Sequence, residues 1–134
     1  KNILTFLLIF WLSAVSVFAQ NELFNKGLQQ FDAKQYQQAA ETFNQVIAQQ
    51  PGFYQAHFNL GLCLYNLRKF EEAYNAFQKS VNLKADYVRA NYWSGVALYQ
   101  LKRLDEAVSW YQKTLQFEPN NAAAHYRLGV IYLD

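Results

Sequence analysis

A glycine returns every 34 residues along this chain, at Gly27, Gly61, Gly95 and Gly129, and no other feature restricts its fold so strongly. Other markers keep the same register. Ala39, Ala73 and Ala107 follow the first three glycines at twelve residues, and an aromatic comes four places later at Phe43, Phe77 and Tyr111. Pro51, Ala85 and Pro119 mark the end of each unit. A period of roughly 20 to 50 residues is the signature of a stacked array, in which a unit buries its apolar face only against its neighbours.

A helical hairpin accounts for each marker. Two antiparallel helices approach closely where both side chains are small, so Gly61 and Ala73 are expected to touch. The twelve residues between them hold the end of one helix, a tight turn and the start of the next. Proline lacks an N–H and clashes with the preceding turn, so Pro51 and Pro119 stop the second helix of a unit, with Ala85 a softer stop. The spacing predicts helices near 21–34, 37–50, 54–67, 71–84, 88–101, 105–118 and 122–133.

The frame L-G-x-x-Y/L, then Ala, then Phe, then Pro, at 34 residues resembles the tetratricopeptide repeat. The resemblance covers residues 20–134 as full units 20–53, 54–87 and 88–121 and a partial fourth, 122–134. It implies an all-α fold, a right-handed superhelical array of antiparallel helix pairs, or α-solenoid. Two departures affect detail. The Trp usual in the family four places before Gly is Leu23, His57, Asn91 and His125 here, and its turn glycine is Lys34, Arg68 and Lys102.

Ahead of the repeats the chain reads KNILTFLLIFWLSAVSVFAQ, one Lys, an apolar run, then small residues ending at Val17, Phe18 and Ala19. That is the layout of a secretory signal, with cleavage expected after Ala19 and a mature start at Gln20. The alternative is an N-terminal membrane anchor. The run from Ile3 to Phe18 is shorter than the ~20 apolar residues of a typical span, which favours the signal over the anchor. Either way the array is expected to be exported, periplasmic or extracellular, and the membrane is a partner only if this segment is retained.

A formal net charge of +2 provides no basic face for nucleic acid. Lys34, Arg68, Lys69, Lys102 and Arg103 cluster at the hairpin turns, where cations suit helix C-termini, and Glu71, Glu72, Asp105 and Glu106 open the second helices, where acids suit the dipole. Cys63 is the only cysteine, so no disulfide forms within the chain, and it reads as a small packing residue. His57 and His125 read as partly buried spacers. No serine–histidine–aspartate layout, glycine-rich phosphate loop or Cys/His cluster with ligand spacing appears, so no catalytic residue, metal or cofactor is expected.

Function is then expected from the concave groove that stacked first helices create. Its expected lining begins with an aromatic ladder, Phe24, Phe58, Tyr92 and Tyr126, one rung per repeat, with Leu28, Leu62, Tyr65, Val96 and Tyr99 one and two turns on. Beside the ladder stand Asn25, Asn59, Trp93 and Arg127, with Asn66 at the far end. Amides pair with an extended peptide backbone, and Trp and Arg are enriched at binding hot spots. The carboxylate clamp of chaperone-binding family members uses Lys, Asn, Asn, Lys and Arg. Only Asn59 and Arg89 match those positions here, with Phe24, Leu28 and Trp93 at the other three. The resemblance therefore implies an apolar peptide or a partner helix rather than a chaperone tail.

Lys26, Gln29 and Gln30 give the first unit the polar outer face of a terminal repeat, whereas Leu128, Ile131 and Tyr132 are expected to lack cover. That pattern raises the expectation of further chain after Asp134. Two functional classes follow: a non-enzymatic scaffold or adaptor of the bacterial envelope that binds a protein or peptide, or the recognition arm of a larger sensor or enzyme with its effector domain beyond residue 134.

Overall fold

The computed structural model describes residues 2–133, apart from the side chains at positions 17 and 20. The fit of the Val17 side chain to a peptidase, and the side chain of Gln20, lie outside the described residues. The described residues form seven helices joined by turns: α1 (Asn2–Asp32), α2 (Tyr36–Gln49), α3 (Tyr54–Asn66), α4 (Phe70–Leu83), α5 (Val88–Gln100), α6 (Leu104–Phe117) and α7 (Ala122–Leu133). Helices α2 to α7 end within one residue of the periods read from the sequence. The chain is an all-α stack of hairpins in which α1, α3, α5 and α7 are the first helices and α2, α4 and α6 the second. Helix α1 differs from expectation. It runs unbroken for 31 residues, joining the apolar segment to the first helix of the first hairpin.

The glycine register exists because a ring sits on it. A Cβ built on Gly61 would lie 2.4 Å from the Phe77 ring, and one on Gly27 or Gly95 would lie 2.7 Å from the Phe43 or Tyr111 ring. The nearest atoms to Gly61 all belong to Phe77, so its close partner is that ring and not Ala73, as the small-residue argument had it. Ala39, Ala73 and Ala107 are fully buried nearby, keeping the helices close enough for the rings to reach.

Each hairpin turn closes the same way. The N–H groups of Gln35, Lys69 and Arg103 donate to the carbonyls of Gln30, Leu64 and Leu98 at 2.8, 2.9 and 3.0 Å, while those of Lys34, Arg68 and Lys102 reach back three residues. That is the Schellman closure, which needs one left-handed residue. Lys34, Arg68 and Lys102 supply it with φ of 60°, 62° and 62°, although glycine adopts that conformation with less strain. The turns between repeats carry a second device. His57 Nε2 lies 2.8 Å from the Pro51 carbonyl, Asn91 Nδ2 donates to the Ala85 carbonyl at 2.9 Å, and His125 Nε2 lies 2.8 Å from the Pro119 carbonyl. A carbonyl only accepts, so each ring nitrogen is the N–H. The positions read as spacers are therefore turn-closing donors.

At the last unit the cover is better than expected on one side. Leu128 is buried beneath α6, whereas Tyr132 is exposed and Ile131 half-buried. Gly129, unlike the other three, has no atom within 4 Å of its would-be Cβ. The two kinds of site give opposite expectations for one substitution. Gly61→Ala forces the Phe77 ring aside and is expected to destabilise the chain by about 1–3 kcal/mol. Gly129→Ala meets open space and is expected to stabilise it by up to about 1 kcal/mol through helix propensity. Urea unfolding of both variants checks the contrast.

Candidate functional site

The first helices face one another through side chains 35 residues apart, one repeat plus one position. Gln100 Nε2 donates to the Tyr65 hydroxyl at 3.2 Å, and Arg127 Nε donates to the Tyr92 hydroxyl at 3.4 Å. The Tyr65 and Trp93 rings meet edge-on at 5.2 Å, and Trp93 lies 6.1 Å from Tyr92 at 85°. The Arg127 guanidinium stands 5.9 Å from the Tyr99 ring, and that of Arg89 stands 4.7 Å above Phe58. These contacts join Tyr65, Tyr92, Trp93, Tyr99, Gln100 and Arg127 into one continuous wall across α3, α5 and α7.

The ladder read from the sequence divides by burial. Phe58 has no exposed area, Leu62 and Val96 are buried, and all three belong to the core rather than to a contact surface. Phe58 is enclosed because Phe77 and Tyr87 pack on it at 5.7 and 5.2 Å. Phe24 and Leu28 are half-buried against the first core cluster, with the Phe24 ring 4.7 Å from Phe53. Tyr92 leans on Tyr111 and is half-buried, whereas Tyr126 is 69% exposed. Asn25, Asn66 and Arg89 are exposed, and Asn59, Tyr65, Trp93, Tyr99 and Arg127 are half-buried.

The amides are less free than their type suggests. Asn59 Nδ2 donates to the Gln55 carbonyl and Asn66 Nδ2 to the Leu62 carbonyl, both at 2.8 Å. Each amide thus gives one of its two N–H donors to its own helix and keeps the second N–H and the Oδ1 acceptor. Charge is one-sided: α3, α5 and α7 contain Arg89 and Arg127 and no Asp or Glu. The hydrogen bond to Tyr92 raises the Arg127 pKa further above its already high value, so its charge is permanent.

Two features escaped the sequence reading. Tyr74 and Trp110 meet edge-on at 6.5 Å on the second helices, with Arg103 5.4 Å over Tyr74 and Lys113 4.6 Å over Trp110. Their spacing of 36 residues falls outside the 34-residue register, which is why periodicity did not pair them. The Arg103 guanidinium also bridges Glu106 at 2.7 Å and Glu71 of the preceding unit at 3.2 Å. In addition, a cleft of about 280 Å³ opens between α2 and α4 over α3, lined by Asn44, Ile47, His57, Leu60 and Lys79 among others. Cys63 is fully buried, and burial pushes its thiol pKa up to about 12, as suits a packing residue.

The tetratricopeptide repeat family model matches residues 24–86, and a second one, described as TPR repeat, matches residues 95–134. The chain belongs to the tetratricopeptide repeat family. Among solved structures, the first TPR of Spaghetti (RPAP3), bound to the HSP90 peptide SRMEEVD, is 27% identical with a TM-score of 0.83, over 85% of this chain and 90% of that one. The first TPR domain of the human RPAP3 protein is also 27% identical, with a TM-score of 0.81 over the same shares. The Yersinia enterocolitica type III secretion chaperone SycD, in complex with a peptide of the translocator YopD, shares the fold at 17% identity and a TM-score of 0.81, over 84% of this chain and 92% of that chain. A comparison with curated protein sequences found no match.

The division of the ladder predicts two different mutant behaviours within one pair of touching residues. Phe58→Ala leaves a cavity in the core and is expected to cost about 3–5 kcal/mol of stability. Arg89→Ala, which removes only an exposed cation above the same ring, is expected to cost under ~1 kcal/mol. Thermal unfolding of the two variants tests whether Phe58 is core and Arg89 surface.

Proposed function

We propose that residues 20–134 form a repeat domain acting as a non-enzymatic scaffold, binding a protein partner's peptide or helix along the face of α3, α5 and α7. The observation that carries this reading is the wall from Tyr65 through Trp93 to Arg127. It is pre-ordered by inter-repeat contacts, and it presents half-buried aromatics beside two cations and unpaired amide oxygens. Side chains already fixed lose little freedom when a partner docks, which favours binding. Family membership supports a protein-interaction role, and the peptide-bound repeat structures support a peptide as the ligand class.

The chemistry of the wall selects among peptides. Positions that would clamp a terminal carboxylate hold Phe24, Leu28 and Trp93, and the first two are partly covered by the core. The occupant is therefore an apolar or aromatic segment seated on Tyr65, Trp93 and Tyr99, with an acidic side chain reaching Arg89 or Arg127. The apolar N-terminal segment supports export, with the scaffold acting in the bacterial envelope or outside the cell as the reading we favour.

The test uses exposed Arg89 and half-buried Trp93, with melting followed for each variant because Trp93 also packs on the core. Arg89→Ala combined with Trp93→Ala is expected to weaken capture of the natural partner from an envelope extract at least tenfold, which is about 1.4 kcal/mol. Lys69→Ala at the turn edge is expected to leave capture unchanged. Capture undiminished by the double variant, with melting unchanged, would move the site to the other face of the array.

A further inference from the structure

Helix α1 contains the largest unburied apolar surface of the chain. Ile3, Phe6, Trp11 and Phe18 are 76%, 78%, 74% and 66% exposed, and the large apolar residues from Leu4 to Val15 are exposed on every side of the helix. A partner helix or groove would cover one stripe, whereas a helix apolar all round matches hydrocarbon. The helix is long and apolar enough to cross a membrane by length and composition, a test that signal sequences also pass, with a mean hydropathy of 2.1 in its most apolar window. From Asn2 to Ala19 it makes roughly 27 Å of helix, close to the ~30 Å of a bilayer core.

The same helix then enters the array without a break. Its Gly27 receives the Phe43 ring, and the apolar half and the first hairpin share one uninterrupted helix with no linker between them. The orientation of the whole array follows from this continuity. Antiparallel hairpins make α3, α5 and α7 parallel to α1, so the inter-repeat turns at 50–53, 84–87 and 118–121 all lie on the side from which the apolar segment arrives.

We infer that α1 is retained as a membrane anchor and that the edge formed by the inter-repeat turns rests on the lipid surface. Phe53 marks the level. Its ring lies 4.7 Å from Phe24, which stands six residues, roughly 9 Å, along α1 from Phe18. The edge has the composition this needs. Leu83 and Phe117, the last residues of α4 and α6, are 48% and 43% exposed there. Tyr54 and Tyr87 meet edge-on at 5.0 Å beside them, in keeping with aromatics at a membrane interface. The charged groups in these turns are Lys84 and Asp86, paired at 3.1 Å, and Glu118, whose Oε2 accepts from Asn121 Nδ2 at 2.8 Å. The hairpin tips with Lys34, Arg68, Lys69 and Lys102 stand a helix length away, roughly 20 Å further from the bilayer. The groove then runs along the membrane, and its partner is captured close to the surface.

The experiment uses the full chain with Cys63→Ser in vesicles of phosphatidylethanolamine and phosphatidylglycerol. A fluorophore is placed at Gly52→Cys on the turn edge or at Lys69→Cys on a hairpin tip. Headgroup-linked quenchers are expected to quench the first label several-fold more than the second, and Leu83→Ser with Phe117→Ser is expected to narrow that difference. Mass spectrometry of the protein from its native membrane fraction is expected to find the apolar segment still attached. Equal quenching at the two labels overturns the resting edge, and a chain beginning at Gln20 overturns the anchor. Neither measurement touches the groove residues, so partner capture remains a separate readout.

Discussion

Every hairpin in this protein depends on one contact, a ring pressed onto the bare backbone of a glycine. Phe43, Phe77 and Tyr111 lie so close to Gly27, Gly61 and Gly95 that a single methyl group on any of these glycines would overlap the ring. The contact sets the distance between paired helices and buries the largest core side chains. Once three rings are seated at equal intervals the first helices are placed side by side, and the groove wall follows.

That placement explains why the wall is built of contacts between successive units. Tyr65 meets Trp93 and Gln100, and Arg127 meets Tyr92 and Tyr99, because stacking brings each first helix alongside the next. The contacts serve packing and leave part of each side chain open. An aromatic that supports its neighbour on one edge still has a free face for a partner, and a guanidinium over a ring keeps its remaining donors. The turn-closing donors His57, Asn91 and His125 act on the same axis, since each fixes the direction in which a unit leaves its predecessor.

Helix α1 joins the array to a segment of different character, apolar on every side. Its apolar half is covered by none of the described residues, and its other half is held in the first hairpin by Phe43. Because the helix is continuous, the direction of the apolar half follows that of the first hairpin. A flexible linker would have left the groove free to turn.

The sequence by itself determined the period, the helices and their order, because glycine, alanine, aromatic and proline each impose a local requirement that repetition makes visible. It also placed Trp93, Arg89, Tyr65 and Arg127 on one face of the first helices, since position within the repeat assigns the face of a helix. Only the tertiary structure decided which of those residues remain on the surface. Phe58 and Tyr126 occupy the same place in their units, yet one is enclosed by Phe77 and Tyr87 and the other is open, because burial depends on the neighbours of a unit and not on its own pattern. The partner of Gly61 was decided there too. Small residues at a fixed spacing announce that helices come close, but which atoms fill the space between them depends on where a ring four residues further on turns its edge.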